Sequence, residues 1–136
     1  MVANAGRAVD RGAGRRPRDY LPSLREGFVR LGVRLDFVAV EGVGGWMVPI
    51  TPGYFSNDLA ADLRLPVLVV AENRLGCLNH ILLTVRAIET AGLKCAGVVL
   101  NDLAQESDLA MATNAEILRS CLTLPILAGL TLPQTV

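Results

Sequence analysis

The sequence predicts an α/β fold, a parallel sheet covered by helices on both faces. The first reason is the strand type: Val67 to Ala71 and Cys95 to Leu100 are continuous apolar runs without polar alternation, as in strands buried on both sides. The second is their alternation with segments whose apolar residues recur at helical spacing. The third is composition. Over 136 residues and 14.5 kDa, 51% are hydrophobic and only 19% charged, which gives one core-forming domain and excludes disorder throughout.

The elements follow in order. Pro22 suits a first helical turn, and Leu24, Phe28 and Leu31 continue at helical spacing as far as Gly32. Phe37-Val38-Ala39-Val40 is a β-prone run that predicts a first strand, ending at Glu41 and a glycine cluster. Ser56-Asn57-Asp58 can cap a helix bearing Leu59 and Leu63, which Pro66 stops. Val67 to Ala71 predicts a second strand. After Gly76, the residues Leu78, Ile81, Leu82, Val85 and Ile88 predict the strongest helix, closed by Gly92. Cys95 to Leu100 predicts a third strand that ends at Asn101-Asp102. Ser107 or Asp108 can cap a helix carrying Met111, Ile117 and Leu118, and Pro125 to Gly129 predicts a fourth strand.

Residues 1–18 differ in character. Arg7, Arg11, Arg15, Arg16 and Arg18 lie among glycines and alanines without apolar periodicity, so a disordered or non-homologous basic tail is expected there, with the α/β domain over residues 19–136. Thirteen basic and thirteen acidic side chains cancel, which argues against nucleic-acid binding through global charge. The longest purely apolar stretch, Leu65 to Ala71, is too short to span a bilayer, and no signal peptide is recognisable. Cys77, Cys95 and Cys121 share no metal-type spacing, so a reduced, cytoplasmic setting is expected.

Ligands of open parallel sheets bind beyond the carboxyl ends of the strands, and those ends are polar or glycine-rich here. Glu41 suits a magnesium ion shared with phosphates, since magnesium takes few protein carboxylates; a solvated turn glutamate explains it equally. Gly76, Cys77, Leu78 and Asn79 open the strongest helix, where unpaired N–H groups attract a carboxylate or phosphate. Cys77 lacks a base partner at useful spacing and reads as packed. His80 in the same turn reads as a structural hydrogen-bonding group or an acid–base group. Asn101 presents an amide donor and acceptor that match a purine edge, or it makes a simple turn. Arg64, Arg74 and Arg86 are expected to face solvent.

Together these segments resemble one family. Val40-Glu41-Gly42-Val43-Gly44-Gly45-Trp46-Met47-Val48-Pro49 is similar to the VEGAGG-x-x-x-P segment of ATP-dependent dethiobiotin synthetases. Leu65-Pro66-Val67-Leu68-Val69-Val70, then Leu75-Gly76-Cys77-Leu78-Asn79-His80 and Leu83-Thr84, resemble that family's LPVxLV and LGxxNHxxLT stretches. The likeness runs from about Asp36 to about Gly129. It implies a partial P-loop NTPase-like fold, ATP and Mg2+, a homodimer, and the substrates 7,8-diaminopelargonate and carbon dioxide. It also implies residue roles. Glu41 would be the magnesium ligand and Gly44 would lie near the reacting groups. Gly76, Cys77, Leu78 and Asn79 would hold the substrate's carboxylate, and Asn101 with Asp102 would read adenine. Leu132, Pro133 and Gln134 would hold the far side of the base.

One part of the family pattern is missing from this sequence. No GxxxxGKT-type phosphate loop precedes Glu41, and Lys94 is the only lysine. The chain is therefore expected to be inactive in phosphoryl transfer on its own. Two alternatives accompany the synthetase reading: a non-catalytic dimerising or ligand-binding paralogue, and a nucleotide domain of a cobyrinate-type amidotransferase synthetase.

Overall fold

A computed structural model of the chain describes residues 21–42, 44–102 and 109–130. The chain divides into two compact units, Met1–Leu63 and Arg64–Val136, each described by itself. The expected tail over residues 1–18, the caps Ser107 and Asp108, and Leu132, Pro133 and Gln134 lie outside the described residues.

In the first unit the earliest described element is α1 (Leu21–Gly32), where the spacing predicted it. Its apolar stripe is only partly covered: Leu24 and Val29 are exposed, and with Leu59 and Leu63 they line an open groove of about 720 Å3. The expected strand at Phe37-Val38-Ala39-Val40 does not form; only an isolated bridge occurs, at Val40. A strand exists through its ladder, and this run belongs to neither described sheet, so Phe37 remains 82% exposed. Instead the unit contains an antiparallel hairpin of β1 (Pro49–Thr51) and β2 (Tyr54–Phe55), joined by Pro52-Gly53. Proline presets the first turn position and Gly53 takes φ +75° at the second, the order of a type II turn.

The hairpin leads directly into α2 (Ser56–Leu63), the helix expected from its capping residues. Asp58 acts as the reciprocal half of a capping box, its Oδ2 accepting the Phe55 N–H at 2.7 Å. The carbonyls of Val48 and Trp46 accept the N–H groups of Ser56 and Asn57, at 2.9 and 3.0 Å. Buried Tyr54 donates its hydroxyl to Asp62 Oδ2 at 3.0 Å, which ties β2 to the far end of the helix. Burial first, and then the Asp62 carboxylate, push the Tyr54 phenol well above its usual 10.0.

The second unit is a three-stranded parallel sheet in the order β3 (Val67–Glu72), β4 (Cys95–Asn101), β5 (Ile126–Leu130). The connections are α3 (Cys77–Thr90) and α4 (Leu109–Cys121). Gly92 ends α3 in a Schellman motif: at φ +73° its N–H bonds the Glu89 carbonyl at 2.9 Å, and Leu93 N–H bonds Ile88 at 3.2 Å. On one sheet face Val69, Val98, Leu100 and Ile126 are buried, as are Ile81, Val85 and Ile88 of α3 and Leu118 of α4. On the opposite face Leu68, Val70 and Leu127 are exposed. Among the described residues of this unit, α3 and α4 cover the face of Val69, Val98, Leu100 and Ile126. Spatial strand order follows chain order, so successive crossovers step in one direction, and crossovers of one hand then lie on one side. Among the described residues no helix is long and apolar enough to cross a membrane.

Two predictions follow from this packing. A Cβ on Gly97 would stand 2.9 Å from the Pro125 carbonyl oxygen, a backbone atom that cannot rotate away. Gly97→Ala is expected to destabilise the sheet by about 1–3 kcal/mol in urea unfolding, and an unchanged midpoint contradicts the close approach. The raised Tyr54 pKa makes its contribution complete below pH 10.0, the point at which the unfolded phenol starts to ionise, and that contribution is lost as pH climbs from there towards the folded value. Tyr54→Phe should therefore flatten the alkaline fall in stability, as measured by denaturant unfolding across that range.

Candidate functional site

Parallel pairing places the carboxyl ends of β3 and β4 on one rim. Glu72 pairs with Asn101, and the Asn73 N–H bonds the Asn101 carbonyl at 2.9 Å. Beyond β3 the chain makes one tight turn, with Gly76 at φ +88° immediately before α3. Cys77 N–H returns to the Arg74 carbonyl at 3.2 Å, and no side chain caps the helix. The first-turn N–H groups of Leu78 and Asn79 thus lie at a helix end whose dipole favours an anion.

The polar groups that organise this rim are two buried asparagines. Asn73 and Asn114 are 4% and 3% exposed. Asn73 Nδ2 donates to Asp102 Oδ1 at 2.8 Å and to the Met111 carbonyl at 3.1 Å. Asn114 Nδ2 donates to Asn73 Oδ1 at 2.9 Å, and lies 3.2 Å from the Arg74 carbonyl and 3.3 Å from Cys77 Sγ. A buried amide left unpaired costs about 1–3 kcal/mol, so the network restricts where each partner can sit. Neither asparagine was apparent in the sequence as a site residue. The available signal was that Asn114 shares a helix stripe with Met111 and Leu118, a polar residue at a core position.

The sequence-predicted residues fall in both units. Gly76, Cys77, Leu78 and Asn79 at the start of α3 and Asn101-Asp102 at the end of β4 share the second unit, connected through Asn73 and Asn114. Cys77 is buried at 4% exposure, so its sulfur is not open to a ligand. His80 is exposed, and the structural hydrogen bond considered for it is not made among the described residues. Arg74 is exposed and its Nε pairs with Glu72 Oε2 at 3.2 Å; Arg64 and Arg86 are exposed too.

Glu41 and Gly44 belong to the first unit. Glu41 is exposed at the end of the run that precedes the glycines. Gly44 has φ +72°, and a Cβ there would come 3.1 Å from Val48 Cγ2. Nearby in sequence, Thr51 Oγ1 and Asn57 Oδ1 are buried without hydrogen-bond partners. Among the described residues no three His, Cys, Asp or Glu side chains gather as a metal cage. A lone exposed carboxylate fits magnesium that arrives with phosphates, which supply most of its oxygens, and does not fit a resident ion.

A family model described as an AAA domain matches residues 23–134, which extends the likeness over α1. Relatives with the name ATP-dependent dethiobiotin synthetase BioD are similar over much of the chain. That of Akkermansia muciniphila is 50% identical over 95 residues, 70% of this chain and 45% of the relative. That of Aromatoleum aromaticum is 43% identical over 104 residues, 76% of this chain and 46% of the relative. That of Cellvibrio japonicus is 53% identical over 78 residues, 57% and 34% respectively. The chain spans about half the length, or less, of these curated relatives.

The two positive-φ glycines of the first unit give a paired test. Alanine at Gly44 or Gly53 incurs left-handed strain of about 1–2 kcal/mol, but only Gly44 also meets a neighbour within 4 Å. Gly44→Ala is expected to lower the unfolding midpoint more than Gly53→Ala, and the reverse order contradicts the packing of Gly44 on Val48.

Proposed function

Because this chain belongs to the dethiobiotin synthetase family, whose matching model is an AAA domain, we propose that it carries the carboxylate-binding and adenine-reading part of an ATP-dependent cyclo-ligase of biotin biosynthesis. The observation that carries this reading is the shared rim. An uncapped helix N-terminus and the Asn101-Asp102 strand end are joined by one hydrogen-bonded network within the family-like segment.

In that reading, one amine of 7,8-diaminopelargonate takes up carbon dioxide as a carbamate. ATP phosphorylates the carbamate, and the neighbouring amine closes the cyclic urea and expels phosphate, leaving ADP. The backbone of Gly76, Cys77, Leu78 and Asn79 holds the carboxylate at the far end of the acyl chain, chiefly through the Leu78 and Asn79 N–H groups, since the Cys77 N–H already bonds the Arg74 carbonyl and the helix dipole favours an anion there. In a homodimer they would serve the partner's substrate. Asn101 offers its amide to the purine edge with Asp102 beside it, and Leu132, Pro133 and Gln134 border the base. Glu41 would hold magnesium beside the triphosphate, and the bound ion would neutralise charge on the phosphoryl oxygens. Gly44 leaves room for the reacting groups. The setting is cytoplasmic, where ATP is available.

For these 136 residues taken by themselves a second reading is binding without turnover, since they contain no GxxxxGK[ST] loop and Lys94 is their sole lysine. Each preorganised donor lost from a phosphoryl-transfer site costs about 3–4 kcal/mol in barrier height, and the whole cradle is more than one donor. Calorimetric titration of the 136-residue chain with 7,8-diaminopelargonate and with Mg·ATP should give saturable heat. A folded chain that binds neither overturns the functional reading. Incubated with both and bicarbonate, the chain alone should turn over near background; ordinary enzymatic rates would show that another group replaces the missing lysine.

A further inference from the structure

The buried amides Asn73 and Asn114 reach both halves of the rim. Asn73 engages the strand end, with its backbone N–H on the Asn101 carbonyl and its Nδ2 on Asp102 Oδ1. Asn114 engages the turn that opens α3, with Nδ2 within bonding distance of the Arg74 carbonyl and Cys77 Sγ. The two amides meet at 2.9 Å, Asn114 Nδ2 donating to Asn73 Oδ1. Their orientations are therefore mutually determined: Asn73 Oδ1 only accepts, so Asn114 must present its donors, which then face the α3 turn. With Oδ1 thus occupied, Asn73 must direct its own donors at Asp102 and the Met111 carbonyl.

We infer that Asn73 and Asn114 are positioning residues, an amide pair that locks the α3 N-terminus and Asp102 into one frame so that the carboxylate and adenine subsites are held in register. This rests on the functional reading above, and it adds residues outside the family-like motifs, one of them from a different helix. Loosening either amide should disturb both subsites at once, because the pair has no independent half.

The test separates positioning from simple core satisfaction. In the double variant Asn73→Leu/Asn114→Leu both partners become apolar with the same branching and the same number of side-chain heavy atoms, which removes the lock without leaving either amide unpaired. Of the groups left behind, the Arg74 carbonyl still accepts the Cys77 N–H, the Met111 carbonyl lies in the first turn of α4, within the helix ladder, and the Asp102 carboxylate, which loses its amide donor, is half-buried and within reach of water. The expected result is a folded chain in which amide hydrogen exchange speeds up at least tenfold at both rim amides that are hydrogen-bonded, that of Cys77 on the Arg74 carbonyl and that of position 73 on the Asn101 carbonyl, while the amides of Ile81, Val85 and Leu100 stay protected. The dissociation constants of 7,8-diaminopelargonate and of Mg·ATP should each rise at least tenfold. Asn114→Ala, which leaves the Asn73 carbonyl unpaired, provides a second route to the same paired loosening should the double variant not fold. Exchange that rises at one of these two amides alone, or at neither, overturns the inference. Wild-type affinities in a variant whose rim has loosened overturn the positioning role and leave the functional reading intact. A wild-type chain that binds neither ligand overturns that reading, and the positioning role with it.

Discussion

Parallel pairing of β3 with β4 is the constraint on which the second unit depends. Two parallel strands must be joined by a crossover, and that crossover is α3, whose buried face meets the sheet through Ile81, Val85 and Ile88. Parallel direction also brings both carboxyl ends to one rim. Glu72 and Asn101 are therefore neighbours although α3 lies between them in the chain, and Asn73 begins where the ladder stops. The polar chemistry of the rim is a consequence of strand direction before it is a consequence of any single side chain.

A rim of this kind has a solvation problem that the asparagines resolve. Backbone groups leaving the ladder, the open turn at Gly76 and the Asp102 carboxylate all need partners close to an apolar core. Two amides that donate and accept at once satisfy them with little volume. The same economy leaves the first-turn N–H groups of α3 without a side-chain cap, the state a carboxylate ligand requires. Stability of the turn and the absence of a side-chain cap thus come from one arrangement, within the stretch that the AAA-domain model matches.

The first unit works on shorter range. Its hairpin and helix are held by contacts between near neighbours in sequence: the Asp58 half-cap, the carbonyls of Trp46 and Val48 on the α2 entrance, and Tyr54 on Asp62. Gly44 and Gly53 supply backbone conformations that other residues would resist. This locality did not make the unit easier to read. Strands of three and two residues are too short to show a period, so only the Pro52-Gly53 pair marked the hairpin. Phe37 to Val40 had the composition of a strand without a described partner to make it one.

The amino-acid sequence by itself determined α2, α3, α4 and the strands β3, β4 and β5 to within a residue or two at most boundaries, because each carries its own period, its own stop signal, or both. Gly92 after Ile88 is enough to end α3, and an unbroken apolar run is enough to declare a buried strand. It also determined the family, through the LG-x-x-NH run at the start of α3. Only the tertiary structure decided that Asn114 turns inward to meet Asn73, and that one sheet face of the second unit keeps Leu68, Val70 and Leu127 exposed. The physical reason is the range of the forces involved. Periodicity and capping act within a few residues and leave their mark in local order, whereas the partner of a buried amide or of a sheet face comes from a distant part of the chain.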